Sequence, residues 1–116
     1  MALLSGDILK LYHNPRCSKS RMTLEITKSA SPEIILYKKD HLSRKQLTAL
    51  VNRLQDPIET LVRWKDANAP KKPDIIDMGV IIDILISNPE IMERPIIDDG
   101  ERAQICRPPE IALSFL

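Results

Sequence analysis

The sequence predicts a small α/β protein with a mixed four-stranded sheet flanked by helices. Two apolar stretches that are typical of strands are each followed by a helix-forming stretch, which favours parallel strands joined by right-handed crossovers. A later turn sequence, Asp98-Asp99-Gly100-Glu101, separates two further apolar stretches and indicates an antiparallel hairpin. The length of 116 residues fits one domain.

The first half of the chain predicts two strands and the helix between them. Residues 8–13 are mostly apolar and predict an interior strand. Residues 18–29 contain strong helix formers, with Met22 and Ile26 one turn apart, and Ser31-Pro32 ends this helix. Residues 33–38 predict the second strand, parallel to the first.

Residues 43–54 carry the clearest helical pattern. Ser43 and Gln46 have the spacing of a capping box. Four apolar residues fall on one face of this helix: Leu47, Leu50, Val51 and Leu54.

The next two segments are shorter and less regular. Asp56, Pro57 and Glu59 have the order of a helix start, with Asp56 as cap, and that helix is expected to end near Arg63. Residues 64–73 contain two prolines and several polar residues, so we expect a loop there.

Residues 77–87 fit either a strand or a buried helix. Their isoleucines favour a strand, whereas the length, the lack of alternation and a capping Asp77 favour a helix, which is our prediction. Asn88-Pro89 ends it.

The C-terminal segment predicts a hairpin and a final helix. Residues 96–97 and 102–106 are the strands, with Gly100 at the turn position that needs a positive φ. Pro108-Pro109 begins a short helix that runs to Leu116.

Composition and charge exclude several classes of function. Hydrophobic residues make up 43% of the chain, but only four residues are aromatic, so the core is expected to be aliphatic. Seventeen basic and sixteen acidic residues give a net charge of +1, which provides no overall field for binding nucleic acid or a membrane. Recognition of an anion must therefore come from a local cluster.

The cysteines and the chain start favour a cytoplasmic protein. Cys17 and Cys106 are too few for a secreted disulfide framework, and no zinc-binding pattern is present in the sequence. Residues 1–7 lack the features of a signal peptide. The longest apolar run, residues 80–86, is far short of the ~20 residues that span a membrane.

Cys17 is predicted to lie where a strand turns into a helix. Free backbone N–H groups at a helix start favour the thiolate, and the nearby Arg16, Lys19 and Arg21 act in the same direction. The alternative is a small buried cysteine, which is the usual fate of a free cysteine. Its polar and basic neighbours favour the reactive thiol, because burying them unpaired would be unfavourable.

Three arginines, Arg63, Arg94 and Arg107, lie at the predicted ends of elements. The planar guanidinium group matches a tetrahedral oxyanion, so together with the helix start at Cys17 they are suited to a phosphate- or arsenate-like ion. Spacing alone does not bring them together, and the alternative is three solvated surface side chains.

Three segments resemble the glutaredoxin-linked arsenate reductase family: residues 13–21 (HNPRCSKSR), 92–97 (MERPII) and 105–110 (ICRPPE). They occur in the family's order, and the resemblance runs from about Ile8 to the C-terminus. It implies a thioredoxin-like fold with a helical insertion at about residues 41–91. The family usually has a longer helical segment after Arg63, which leaves coverage of the site open.

The resemblance also assigns roles to individual residues. It implies that Cys17 is the nucleophile and that Arg63, Arg94 and Arg107 bind the oxyanion. It places a supporting histidine at His13, whose alternative role is packing or a loop hydrogen bond, and a cis-proline at Pro95. Asn14 and Ser20 complete the supporting loop. Cys106 is expected to be a packed residue, with a resolving role as the alternative.

The implied reaction is arsenate reduction with glutathione and glutaredoxin as thiol partners and with no metal or tightly bound cofactor. The serine at position 20 leaves no second cysteine beside Cys17, which fits dependence on an external thiol. One alternative is a redox or transcription regulator of the same fold that binds RNA polymerase, but the Cys-x-x-Cys pair of that branch is missing. Another is a related thiol protein that has lost arsenate activity.

Overall fold

The computed structural model describes residues 8–116, and the expectation about a signal peptide falls outside these residues. Within this range the strands are β1 (Lys10–Tyr12), β2 (Glu33–Ile35), β3 (Ile96–Asp98) and β4 (Ala103–Ile105). The α-helices of the described residues are α1 (Ser18–Thr27), α2 (Arg44–Arg53) and α3 (Met78–Ser87). Short 3₁₀ turns cover Lys28–Ala30, Ile58–Leu61, Pro89–Ile91 and Pro109–Phe115.

The strands form one mixed sheet in the order β2-β1-β3-β4. Strand β1 is parallel to β2 and antiparallel to β3, and β3 pairs with β4 in the expected hairpin. Gly100 has a φ of 92° in the hairpin turn, where a side chain would be strained. The predicted four-stranded mixed α/β fold is confirmed.

Each face of the sheet has its own apolar core, because neighbouring strand residues point to opposite sides. Leu11 and Ile97 face α1 and the C-terminal turn, where they pack with Phe115. Tyr12 and Ile96 face the other way, toward the apolar sides of α2 and α3. Helices α2 and α3 lie between β2 and β3 in the chain.

The buried side of α1 differs from the apolar pattern in the sequence. Met22 is exposed, whereas Thr23 and Thr27 are buried. Their hydroxyls donate to the carbonyls of Lys19 and Thr23, four residues earlier in the helix. Satisfying the hydroxyl in this way lets threonine occupy a buried position.

Two expected features are shorter or arranged differently. Strand β2 ends at Ile35 because a turn follows, in which Lys39 N donates to Leu36 O. Asp56 does not cap a helix, and the prediction that it does is wrong. Its carboxylate accepts from Ile105 N, so it connects the loop to β4, and Pro57 precedes only a 3₁₀ turn.

The start of α2 has the capping box that the sequence predicts. Ser43 Oγ accepts from Gln46 N at 3.1 Å, and Gln46 Oε1 accepts from Ser43 N at 2.8 Å. Asp77 caps α3 in the same way, accepting from Val80 N. Helix, rather than strand, is confirmed for residues 78–87.

We expect Ser43→Ala to lower the free energy of unfolding by about 1 kcal/mol, because the substitution leaves a helix-start N–H group without its acceptor. Chemical denaturation measures the change. Ser29→Ala, at an exposed serine outside α2, is the matched control. Equal stability of the two variants would show that the capping box contributes little.

Candidate active site

Cys17 is the N-cap residue of α1, immediately after the loop that leaves β1. Its backbone is extended, with φ −94° and ψ 125°, and its N–H donates to Asn14 O at 3.0 Å. The side chain is half-buried. The thiol therefore lies at a helix start, as the sequence predicts.

The surroundings lower the pKa of the Cys17 thiol below its usual value. Burial acts most strongly and on its own would raise the pKa. The backbone N–H of Ser20, the guanidinium groups of Arg94 and Arg107 and the backbone N–H of Lys19 act in the opposite direction and outweigh it. Cys17 is thus biased toward the thiolate, the nucleophilic form.

Arg107 and Arg94 reach the thiol from the far end of the chain. Arg107 Nη1 lies 3.8 Å from Cys17 Sγ and also donates to Arg94 O at 2.8 Å. Arg94 directly precedes β3 and Arg107 follows β4, so the hairpin brings these two residues to one end of the sheet. The charged side chains that lower the pKa of the thiol are therefore Arg94 and Arg107, while Lys19 contributes through its backbone N–H.

Arg63 joins this group through a short backbone pairing. Val62 forms an antiparallel bridge with Met92, and Arg63 N donates to Ile91 O at 2.9 Å. The side chain then reaches Glu93, with Arg63 Nη1 3.0 Å from Glu93 Oε1. The same carboxylate oxygen lies 3.5 Å from Arg107 Nη1. All three predicted arginines therefore belong to one cluster, next to Cys17.

Two donors in this cluster have no partner within residues 8–116. They are Arg63 Nε and Arg94 Nε, and both are buried. A buried N–H group without an acceptor is unfavourable, and a charged one more so. An oxyanion beside Cys17 is the type of ligand that satisfies such donors.

Two residues that the sequence prediction missed also belong to this region. Glu93 accepts from Arg94 N at 3.1 Å as well as from Arg63. Tyr37 is buried, and its hydroxyl donates to Met92 O at 3.2 Å. Burial raises the pKa of Tyr37 to about 12, against the opposing influence of Arg94 and Arg63. Glu93 adjoins Arg94 in the sequence, which was a usable signal, but nothing local distinguishes Tyr37.

His13, Asn14 and Ser20 hold the loop that carries Cys17. His13 Nδ1 lies 2.6 Å from Ser20 Oγ, which also accepts from Asn14 N at 3.0 Å. Burial, and then the charge of Arg21, lower the pKa of His13, which favours the neutral ring at pH 7. The contact with Ser20 corresponds to the alternative role of His13, a loop hydrogen bond, and direct support of the thiolate by His13 stays a prediction.

Pro95 lies directly after Arg94, and the Arg94–Pro95 peptide bond is cis, as the resemblance implied. Pro95 O accepts from Cys106 N at 2.9 Å. The Arg107–Pro108 bond is also cis, which the sequence analysis did not predict. Cys106 is fully buried, and burial raises the pKa of its thiol to about 12.

The loop after Arg63 is attached to the preceding 3₁₀ turn. Trp64 Nε1 donates to Glu59 O at 3.0 Å, and Lys72 Nζ forms an ion pair with the Glu59 carboxylate. Lys72 also lies 5.8 Å from the centre of the Trp64 ring. These contacts hold the loop against the Ile58–Leu61 turn.

The described part of the chain has neither a metal-binding cluster nor a membrane-spanning helix. Across residues 8–116, no three His, Cys, Asp or Glu side chains are grouped closely enough to hold a metal ion. The helices in that range are all too short or too polar to cross a membrane.

The fold and the site define a thioredoxin-like protein in which a cysteine at a helix start lies beside an arginine cluster. The ArsC family matches residues 12–115, and the chain belongs to this family. It is 36% identical to the uncharacterized protein YfgD of Escherichia coli K12, over 93% of this chain and 96% of that protein. It is 34% identical to an arsenate reductase of Haemophilus influenzae, over 91% and 97% of the two chains.

A solved structure shows the same architecture. The arsenate reductase from Vibrio cholerae superposes with a TM-score of 0.81 and 27% identity. The match covers 95% of this chain and 98% of that one. The fold predicted from the sequence and the family resemblance are both confirmed.

We expect Arg107→Ala and Arg94→Ala to shift the pH profile of Cys17 alkylation to higher pH. Each guanidinium group favours the thiolate, so its removal raises the pKa of the thiol and slows alkylation at neutral pH by roughly three- to tenfold. Iodoacetamide labelling across a pH series measures this. Arg44→Ala, which removes an exposed arginine that pairs with Asp83 of α3, is the control. An unchanged profile in both cluster variants would show that these arginines do not act on the thiol.

Proposed function

We propose that this protein is an arsenate reductase in which Cys17 is the single protein nucleophile and glutathione with glutaredoxin supplies the electrons. The observation that carries the proposal is the position of the Cys17 thiol next to Arg107, in a cluster where the buried Nε groups of Arg63 and Arg94 have no partner within residues 8–116. That arrangement pairs an activated nucleophile with donors for a tetrahedral anion.

The first step is attack of the Cys17 thiolate on arsenic. An S–As bond forms, an As–O bond breaks, and the oxygen leaves as hydroxide or water while arsenic remains As(V). Arg63, Arg94 and Arg107 would neutralise the oxyanion, and the N–H groups at the start of α1 would hold the thiolate. Neutral His13 would keep the loop in place through Ser20.

The second stage requires a thiol from outside the chain. Glutathione attacks the adduct, and glutaredoxin completes the electron transfer that releases arsenite. Overall, two thiols are oxidised to one disulfide and As(V) is reduced to As(III), which balances the electrons. Cys106 is poorly suited to supply the second thiol, because it is fully buried and its pKa is raised to about 12. A reaction of this kind belongs in a reducing compartment such as the cytoplasm.

Arsenite release by the purified protein tests this proposal. We expect release that requires arsenate, glutathione and glutaredoxin together, and that stops when either thiol component is omitted. A folded protein that releases no arsenite under these conditions would contradict the proposal. Co-purification with RNA polymerase in that case would favour the alternative, a regulator of the same fold. In this chain Ser20 stands where that branch has its second cysteine.

A further inference from the structure

The Glu93 side chain places a carboxylate inside the arginine cluster. Its Oε1 accepts from Arg63 Nη1 at 3.0 Å and from Arg94 N at 3.1 Å, and lies 3.5 Å from Arg107 Nη1. Arg107 Nη1 is also the nitrogen 3.8 Å from Cys17 Sγ. The carboxylate and the nucleophile therefore contact the same guanidinium nitrogen, and an anion bound there lies beside Glu93.

The second carboxylate oxygen is differently placed. The contacts of the cluster are all made to Oε1, while Oε2 accepts no hydrogen bond from residues 8–116. The Glu93 side chain is 20% exposed, so it is not completely buried. An ionised carboxylate has lone pairs and no proton, which makes Oε2 an acceptor only.

A carboxylate at an anion site distinguishes between oxyanions by their protons. At neutral pH arsenate and phosphate each retain an O–H group, which can donate to a carboxylate. Sulfate has no such proton, so its oxygens meet Glu93 with like charge and no hydrogen bond. A sulfate oxygen that faces the Glu93 carboxylate places one acceptor against another. This unfavourable contact is what rejects the ligand that has no proton.

We propose that Glu93 is a specificity-determining residue, whose Oε2 accepts a hydrogen bond from a protonated oxyanion and discriminates against sulfate. This inference rests on the proposed function, because it uses the same arginine cluster. It adds a reason for the presence of a negative charge in a site built from three arginines: the charge lowers affinity for every anion that has no proton to donate.

Oxyanion binding to the Glu93→Gln variant tests the proposal. The side chain keeps its size and an oxygen acceptor for Arg63 but loses its charge. Binding is measured without thiols, as the concentration of arsenate, phosphate or sulfate that halves the rate of Cys17 alkylation. We expect the preference for arsenate over sulfate to fall at least about tenfold, since a hydrogen bond to a charged group is lost and a repulsion removed. Glu25→Gln, an exposed glutamate on α1, keeps the wild-type preference.

Three results would overturn the proposal. If Glu93→Gln kept the wild-type preference for arsenate over sulfate, the carboxylate would not be recognising the proton of the anion. An equal loss of binding for all three anions would mean that Glu93 only positions the arginines. A wild-type protein protected by none of the anions would remove the site altogether. By contrast, arsenate that protects Cys17 but is never reduced counts against the proposed function alone, and the Glu93→Gln comparison still decides the selectivity.

Discussion

Cys17→Ser is expected to lower arsenite release by about 10³-fold or more, to the level of the reaction without protein. A serine hydroxyl in this position cannot form the thiolate that attacks arsenic, and loss of a covalent nucleophile is among the largest single-residue effects on catalysis. Cys17 is half-buried at a helix start, so the substitution is not expected to unfold the protein. Initial rates with glutathione and glutaredoxin in excess measure the change.

Cys106→Ala is the matched control for this experiment. Cys106 is fully buried and packs with the core formed by Leu11 and Ile97, so its removal should affect stability more than turnover. We expect the arsenite release per folded molecule to stay near wild type. If Cys106→Ala were as inactive as Cys17→Ser while remaining folded, a second protein thiol would take part in the reaction.

Arg53→Ala is expected to lower the free energy of unfolding by about 3 kcal/mol, because it leaves a buried carboxylate without its charge partner. Arg53 on α2 binds both oxygens of Asp98, through Nε at 2.9 Å and Nη2 at 2.6 Å. Asp98 is 1% exposed at the end of β3, and its carboxylate also accepts from Gly100 N and Tyr12 Oη. The ion pair therefore connects α2 to the sheet and the hairpin turn.

Arg44→Ala on the same helix is the control. Arg44 pairs with Asp83 of α3, but these side chains are 58% and 66% exposed, so solvent screens the interaction. Exposed pairs of this kind contribute less than about 1 kcal/mol. Denaturant titrations of the two variants compare them directly. Equal destabilisation would mean that burial of Asp98 does not determine the effect.

Much of the fold could be predicted because its signals are local. The capping box at Ser43 and the positive φ at Gly100 each depend on a few adjacent residues. The errors arise where distant groups compete. Asp56 was expected to cap a helix, but its carboxylate instead accepts a hydrogen bond from the backbone N–H of Ile105. On α1, hydroxyl groups bonded within the helix allow Thr23 to be buried in place of Met22.

The candidate site separates in the same way into local and distant parts. The position of Cys17 at a helix start follows from its own loop. The meeting of Arg63, Arg94 and Arg107 depends on the pairing of Val62 with Met92 and on the hairpin, so residue spacing alone does not predict it. The family resemblance supplied those positions. Glu93 adjoins Arg94 within the matching segment 92–97, but no role was assigned to it, and its contacts to the arginines are what distinguish it.

A single-turnover experiment tests the central claim most directly. The reduced protein is mixed with arsenate and glutathione in the absence of glutaredoxin, arsenite is quantified, and each cysteine is assigned by mass spectrometry. We predict that no arsenite is released until glutaredoxin is added, that arsenic and glutathione are found on Cys17, and that Cys106 stays unmodified. Arsenite formed while Cys17 stays a free thiol would contradict the account.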